Sequence, residues 1–481
     1  MNVLTLIAFA IYLSILLVIG FIAYQRSKNS ADFTLGGRSL GPWVTAIAAH
    51  ASDMSGWLFM GFPAVIYATG TLQIWTAVSL TFFMYLNWKI IAPRIRVLTE
   101  QYNALTLSTF FEKHFNDVKG KLRVTSALFC LYFFTIYISA NLITMGRLFE
   151  STFGLSYALG ICIGVLVVFY VLLGGFFSIS WIDFFQGLFL LVAIIFVPCY
   201  ALYALPTQAA PAGIWSAITN FAAENNRSLN FFPGFNNHDL LIVLNEVIWG
   251  LGYFGQPHII TKFMGIRDVT TIKKAQWIGL SWQMITLSAA ILVGFVGMLY
   301  FPQGMANNDF IFINLVQQLL PTMLAGFVLC AILATSINVM GAQVLVSASV
   351  LSEDLFGPFF HNLSDRVIMH ISRLSIVGIC GLSLLIAYFN PNIGIFGFVK
   401  YAWTGLGCTF GPLMLASVCG MRTTTQGAFY CILAGGCAAA LWPLLGSQIP
   451  AMIPGFVGGF AALLLTPKCN QTPSSGNNFN N

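Results

Sequence analysis

The segment Ala51-Ser52-Asp53-Met54-Ser55-Gly56-Trp57 sets a carboxylate, two hydroxyls and a glycine inside a run that is otherwise apolar from Trp43 to Ala68, with Gly61 and Pro63 following. Such a run reads as a helix interrupted at its acid. Unwound backbone exposes carbonyl oxygens, and with the Asp53 carboxylate and the Ser55 hydroxyl these make a hard-oxygen set suited to a small cation. Free N–H groups at a resumed helix start attract a carboxylate instead. One interruption can therefore hold a cation and the head group of an amino acid. A second segment of this kind is Trp249-Gly250-Leu251-Gly252-Tyr253-Phe254-Gly255-Gln256-Pro257-His258. Trp249 and Tyr253 share one helix face and Pro257 lies a turn further on, so the three are candidates to line a pocket.

Membrane spans must position these residues. The chain is 58% hydrophobic and 7% charged, whereas a soluble domain is about one quarter charged. Lipid has to cover what a solvated surface cannot. Apolar runs of about twenty residues, long enough to cross a bilayer, recur about thirteen times. They lie near 3–24, 43–68, 73–92, 124–146, 157–177, 184–205, 239–261, 277–301, 322–350, 374–389, 396–419, 427–446 and 452–466. The first lacks a basic start and a cleavage site, so it is a span rather than a leader. The fold class expected is all-α and polytopic, with one transmembrane domain over 1–466 and a disordered cytoplasmic tail, rich in Asn, Ser and Gly, over 467–481.

Charge fixes the orientation. Arg26, Lys28, Arg38, Lys89, Arg94, Arg96, Lys113, Lys119, Lys121, Arg123, Lys262, Arg267, Lys273, Lys274, Arg366, Arg373, Arg422 and Lys468 fall in one set of loops, and only Arg147, Arg227 and Lys400 fall elsewhere. By the positive-inside rule the N-terminus is outside and the C-terminus inside. The net charge of +6 then faces anionic lipid and implies no nucleic-acid partner. The ten cysteines show no C-x-x-C pair, so a transition metal and a cofactor are not expected. No phosphate-binding glycine loop is present, so uphill work must draw on an ion gradient. A channel would need a repeated filter or charge ring, a sensor would need a signalling domain, and an enzyme would need an assembled nucleophile and base. None of these is visible in the sequence.

The interrupted spans are the second and the seventh. They lie an odd number of spans apart and cross in opposite directions, which makes about 43–205 and 239–419 an inverted 5+5 pair, each led by a discontinuous helix. Broken helices at bilayer depth are tolerated where they line a cavity. Asp53, at that depth, costs about 2.5 to 3.5 kcal/mol unless a polar cavity or a cation receives it.

The motifs resemble a family. Leu-Gly-Gly-Arg-Ser-Leu-Gly-Pro (35–42), Ala-Ser-Asp-Met-Ser-Gly-Trp (51–57), Arg-Leu-Phe-Glu-Ser-Thr-Phe-Gly (147–154), Ser-Trp-Ile-Asp (180–183), the block from 249 to 258, Glu-Asp-Leu (353–355) and Tyr-Ala-Trp (401–403) are similar to bacterial sodium/proline symporters of the sodium:solute symporter family. The resemblance implies a LeuT-like fold and import of L-proline by sodium symport through alternating access. It implies that Asp53 is essential for sodium coupling, with Ala51 and Met54 contributing backbone oxygens. Ser55, Gly56 and Trp57 match positions tied to ion and proline binding, and Tyr137, Trp249, Tyr253 and Pro257 match the proline pocket. Asp183 matches a carboxylate on the inner ion pathway, and Arg38 an arginine that affects coupling.

The chain departs from this pattern in span nine. Family members carry an adjacent Ser-Thr pair there, whereas this chain has Asn338 and Val339. Valine cannot ligate sodium, so Asn338, with Thr335 and Ser336 a turn earlier, is expected to complete a rearranged shell. Ionisable groups also stand where small or apolar residues are expected: His50, Glu246 and Lys400. Each is costly in a bilayer. His50 raises proton coupling, or a sodium-independent carrier of proline or another small solute, as an alternative. Otherwise His50 and Glu246 sit in water-filled vestibules and Lys400 snorkels to the outer rim.

Overall fold

The computed structural model describes residues 3–24, 34–171, 175–205, 213–232, 234, 237–357 and 365–466. Arg26, Lys28, Lys468 and the tail expected at 467–481 lie outside them. The fold is all-helical. Seven helices are each long and apolar enough to cross a membrane. These are Thr71–Gln101 (α4), Lys121–Phe153 (α6), Gly175–Tyr203 (α8), Val269–Tyr300 (α12), Thr322–Phe356 (α14), His370–Phe389 (within α15, Asp365–Phe389) and Thr425–Leu445 (containing α17, Thr425–Leu441). The other expected spans appear as Val3–Tyr24 (α1), the pair Pro42–Ala51 (α2) and Gly61–Thr69 (α3), Tyr157–Val171 (α7), the pair Asn237–Trp249 (α10) and Pro257–Met264 (α11), Ile395–Val418 (α16) and Met452–Leu465 (α18).

Both paired spans break where the sequence weakens them. Pro42 starts α2 at a position that needs no amide donor. Met54 N–H still makes a regular helical bond to His50 O, but the Ser55 amide turns to Asp53 O, so the Ala51 carbonyl does not receive the next one and the helix ends. Ser55 is extended, with ψ −167, and a short 3-10 turn over Gly56–Leu58 leads into α3. In the second break a 3-10 turn over Gly250–Gly255 ends at Gln256, whose ψ of 104 is the extended geometry that a following proline imposes. Pro257 then opens α11.

Three short helices escape a search for apolar runs: Leu107–His114 (α5), Ile214–Glu224 (α9) and Ile311–Leu319 (α13). Each buries one face only and is too short to span. α5 is anchored through Asp354, which accepts hydrogen bonds from Thr106 and Thr109 at 2.8 Å each and pairs with Arg123 Nε at 3.3 Å.

One face of the bundle is closed by backbone and guanidinium bonds. Gly36, Gly37 and Arg38 take left-handed φ values of 61, 58 and 52° and turn the chain into α2. Leu40 exchanges backbone bonds with Gly265 and Arg267 just past α11. Arg38 donates to Thr99 Oγ1 and the carbonyls of Thr99, Ala104 and Met264 at 2.9 to 3.2 Å. It thereby ties the entry of the first broken helix, the exit of the second, and α4 into one clasp. On the opposite face a cavity of about 370 Å³ runs down to Trp249 and Lys400.

Candidate functional site

The two breaks meet at Asp53. Its side chain is buried, and its carboxylate accepts a hydrogen bond from the Tyr253 hydroxyl of the opposing break. Gln283 on α12 donates to that same hydroxyl at 3.1 Å, which extends the chain of bonds to a third element. Trp57 donates its indole N–H to the Asp53 carbonyl at 3.3 Å. The acid is thus held by neutral donors.

Aromatic rings wall the site on the side of the open cavity. Trp57, Trp249 and Phe396 pack edge to face with centroids 5.3 to 6.3 Å apart. Trp403 joins Trp249 at 5.8 Å and Tyr253 at 4.9 Å, and donates to Trp249 O at 3.0 Å. Two glycines let this wall form. A Cβ on Gly252 would lie 2.0 Å from Trp403 Nε1, and one on Gly56 would lie 2.3 Å from Thr144 Cγ2. No L side chain other than glycine fits either position without moving an indole or a stiff β-branched threonine.

Several buried polar atoms here have no hydrogen-bond partner among the described residues: Ser55 Oγ, Tyr137 Oη, Trp249 Nε1, Gln283 Oε1, both ring nitrogens of His258 and both amide atoms of Asn338. Folded proteins leave few such atoms, and a cluster of them calls for a reason. Donors and acceptors held ready for a small polar solute and an ion supply one.

The structure does not bring all the candidate residues together. Pro257 is buried but lines a separate small pocket with Thr106, Thr261 and Ser349. Thr335 and Ser336 both donate to Ile332 O, at 2.8 and 3.1 Å, within their own helix. Asn338 alone of that stretch keeps its side-chain atoms unengaged.

His50 is neighbour to Asp53 in sequence, yet its ring turns to Trp88, whose indole N–H donates to Nε2 at 3.0 Å. That bond needs a lone pair on Nε2, so the ring is a neutral tautomer. Trp282, Gly279 and Gln283 also border the ring, which is fully buried. In place of the expected water-filled vestibule the ring occupies a closed slot beside Trp88 and Trp282. Glu246 is likewise buried rather than in water: its carboxylate takes Lys400 Nζ at 2.9 Å, Thr76 Oγ1 at 2.6 Å and Asn245 Nδ2 at 3.1 Å. Lys400 does not snorkel outward. Its ammonium lies 5.7 Å from the ring centroids of Trp249 and Phe396, above the aromatic wall. Sequence reading saw both charges and missed that they pair, because nothing local links positions 154 residues apart.

Lys262 is a correction of another kind. It is no rim charge: it is buried in α11, and its ammonium bonds Asp183 Oδ2 at 2.8 Å and Ser180 Oγ at 3.1 Å. Trp403, Gln283 and Thr144 carried no assigned role in the sequence, and Lys262 only that of a loop charge. Their types were visible, and their convergence was not.

Removing one partner of the Glu246–Lys400 pair tests its weight. Lys400→Met is expected to destabilise the protein by about 3 kcal/mol, because it strands a buried charge. The double variant with Glu246→Gln should recover most of that loss in thermal unfolding of the detergent-solubilised protein.

Two broken helices, entering from opposite faces of the bundle and joined through a carboxylate, define a LeuT-type inverted-repeat membrane bundle. A substrate-bound, outward-open Na+-coupled sialic acid symporter shares this fold with a TM-score of 0.80, covering 97% of this chain and 99% of its own at 16% identity. MhsT in complex with L-phenylalanine does so at 0.54, over 88% of this chain and 96% of its own, at 12% identity. The sodium:solute symporter family profile matches residues 33–435, and the chain belongs to that family. Relatives include the osmoregulated proline transporter OpuE of Bacillus subtilis (36% identical over 98% of this chain and 96% of its own), the sodium/proline symporter of Salmonella typhimurium (36%, 98% and 94%) and the high-affinity proline transporter PutP of Bacillus subtilis (37%, 95% and 97%).

Proposed function

We propose that this protein is a secondary active transporter that imports L-proline with sodium across a bacterial cytoplasmic membrane, with its N-terminus outside and C-terminus inside. The observation that carries the reading is the Asp53–Tyr253 bond between the two breaks. It makes the charge at the ion site and the wall of the solute pocket one unit, so occupancy of either alters the other. Near-full-length likeness to proline carriers supports the substrate.

In this reading Asp53, the exposed carbonyls of Ala51 and Met54, Ser55 Oγ and Asn338 Oδ1 offer hard oxygens to the ion, and Val339 offers none. Asn338 then replaces the missing hydroxyl pair, and Thr335 and Ser336 stand behind it. Proline lies against Trp57, Tyr137, Trp249 and Tyr253 at Gly56, with its carboxylate toward the free amides of the first break. Arg38 holds the inner clasp that must open for release, and Asp183 lies on the path the ion takes inward. Alternation follows because the ion and the solute bind the two states of the clasp unequally. The activity is transport, and the chain performs no covalent chemistry.

The test is uptake of labelled proline by the full-length protein in proteoliposomes under separately imposed sodium and proton gradients. Accumulation driven by sodium and competed by proline alone among small solutes is the expected result. Accumulation driven by protons with no response to sodium overturns it.

A further inference from the structure

Asp53 and Tyr253 stand at one end of a series of hydrogen-bonding groups whose other end is an indole on α4. Trp88 donates to His50 Nε2 at 3.0 Å, Gln283 donates to the Tyr253 hydroxyl at 3.1 Å, and Tyr253 donates to Asp53. Between the two halves lie His50 Nδ1 and Gln283 Oε1. Both atoms are buried, Gln283 borders the ring, and neither atom is engaged by any other group among the described residues.

Packing brings the two residues together. Gly279 lies one turn before Gln283 on α12, and a Cβ there would stand 2.3 Å from His50 Nε2. The missing side chain opens the slot that the imidazole fills, and Gln283 follows on the same helix face. Trp282 borders the slot from the same helix, its ring centroid 6.3 Å from that of the imidazole. Among the described residues, Asp53 is the one charged group bonded to any member of the series.

Chemistry then fixes the direction. An indole N–H only donates, so Nε2 carries the lone pair and Nδ1 the proton of a neutral ring. Nδ1–H matches Gln283 Oε1, which leaves the amide NH2 for Tyr253. Tyr253, already an acceptor, gives its one proton to Asp53. The reverse order would ask both ring nitrogens to accept, and a neutral imidazole offers one lone pair for that purpose.

We propose that Trp88, His50 and Gln283 are positioning residues for coupling: they form a one-way hydrogen-bond chain that holds the Tyr253 hydroxyl on Asp53 and so joins the wall of the solute pocket to the ion site. This rests on the transport reading above. Tyr253 is the link through which an ion at Asp53 reaches the solute, and a link held from behind keeps one orientation in both ligand states. Cut anywhere, the chain lets the hydroxyl turn, and the ion no longer orders the wall. What is lost is the factor by which one ligand strengthens the other.

The experiment is binding of labelled proline to the full-length protein in detergent, without sodium and at saturating sodium. A wild type in which sodium leaves proline binding unchanged overturns the proposed function rather than this inference. Wild type is expected to bind proline at least ~10-fold tighter with sodium, and Gln283→Met and Trp88→Phe should each reduce that factor to ~3-fold or less. Trp88 bonds neither Tyr253 nor Asp53, so its effect has to travel through His50. The double variant should be no worse than either single, because a chain cut twice is still one cut chain. His50→Gln, whose amide can accept from Trp88 and donate to Gln283, should keep the wild-type factor. Variants that weaken proline binding equally with and without sodium, or losses that multiply in the double variant, overturn the inference. Should Gln283→Met or Trp88→Phe fail to fold, nitrogen NMR of wild type carrying isotope-labelled histidine decides, with the His50 signals assigned by their loss in His50→Gln. A proton on Nδ1 and a bare Nε2 uphold the chain, and the opposite tautomer overturns it.

Discussion

Replacing Asp53 by asparagine is expected to lower sodium-driven proline accumulation at least ~100-fold, equivalent to about 2.7 kcal/mol. The substitution keeps the shape and leaves an amide able to accept from the Tyr253 hydroxyl, so the wall of the pocket stays in place. What it removes is the single charge in the two breaks that no resident cation matches. Folding should survive, and the unfolding temperature should hold or rise, because a buried ion is costly to the folded protein. Uptake and thermal unfolding measured on the same preparation separate the two effects. An asparagine variant that still concentrates proline on a sodium gradient would falsify the assignment of Asp53 as the coupling charge. Asp53→Glu retains charge but adds a methylene to a sealed site, so it should also lose transport, with the loss accompanied by a drop in stability.

A single methyl group at Gly252 should do comparable damage by a different route. The added Cβ would stand 2.0 Å from Trp403 Nε1, so the indole must shift and give up its bond to Trp249 O. Overpacking costs about 1 to 3 kcal/mol and the broken hydrogen bond about 1 more. Because Trp403 also contacts Tyr253, the shift reaches Asp53 through one ring and one hydroxyl. Gly252→Ala is therefore expected to lose both stability and proline affinity, read as a lower unfolding temperature and a KM raised at least ~10-fold, about 1.4 kcal/mol. Gly378→Ala is the matched control, since its Cβ would meet no atom within 4 Å. Equal losses at both positions would show that helix glycines in general, and not the Trp403 approach, are responsible.

The clasp around Arg38 shows how far motif reading goes. The residue stood out in the stretch from 35 to 42, and a role in coupling was expected by resemblance. What it couples came from the fold: it donates to Thr99 and Ala104 around the end of α4 and to Met264 at the end of α11, places far apart in sequence. His50 teaches the reverse lesson. Lying three residues before Asp53 made it look like a partner of the acid, a spacing that shares one face of an unbroken helix, but this helix ends at Ala51 and the ring faces Trp88 in the π turn over Asn87–Ile91.

Apolar spans, the two interruptions, their opposed directions and Asp53 at the first were all determined by the sequence itself. Each depends on local signals: hydropathy over a bilayer's length, a proline restricting its predecessor, and a glycine run that cannot hold a helix. Which carboxylate meets which cation was decided by the tertiary structure alone. Lys262 at a helix end reads equally as a rim charge or a buried one, and Glu246 and Lys400 read as separate oddities, until the rotation and depth of each helix are set. Those are fixed by side-chain packing between helices, and no window along one chain segment contains it.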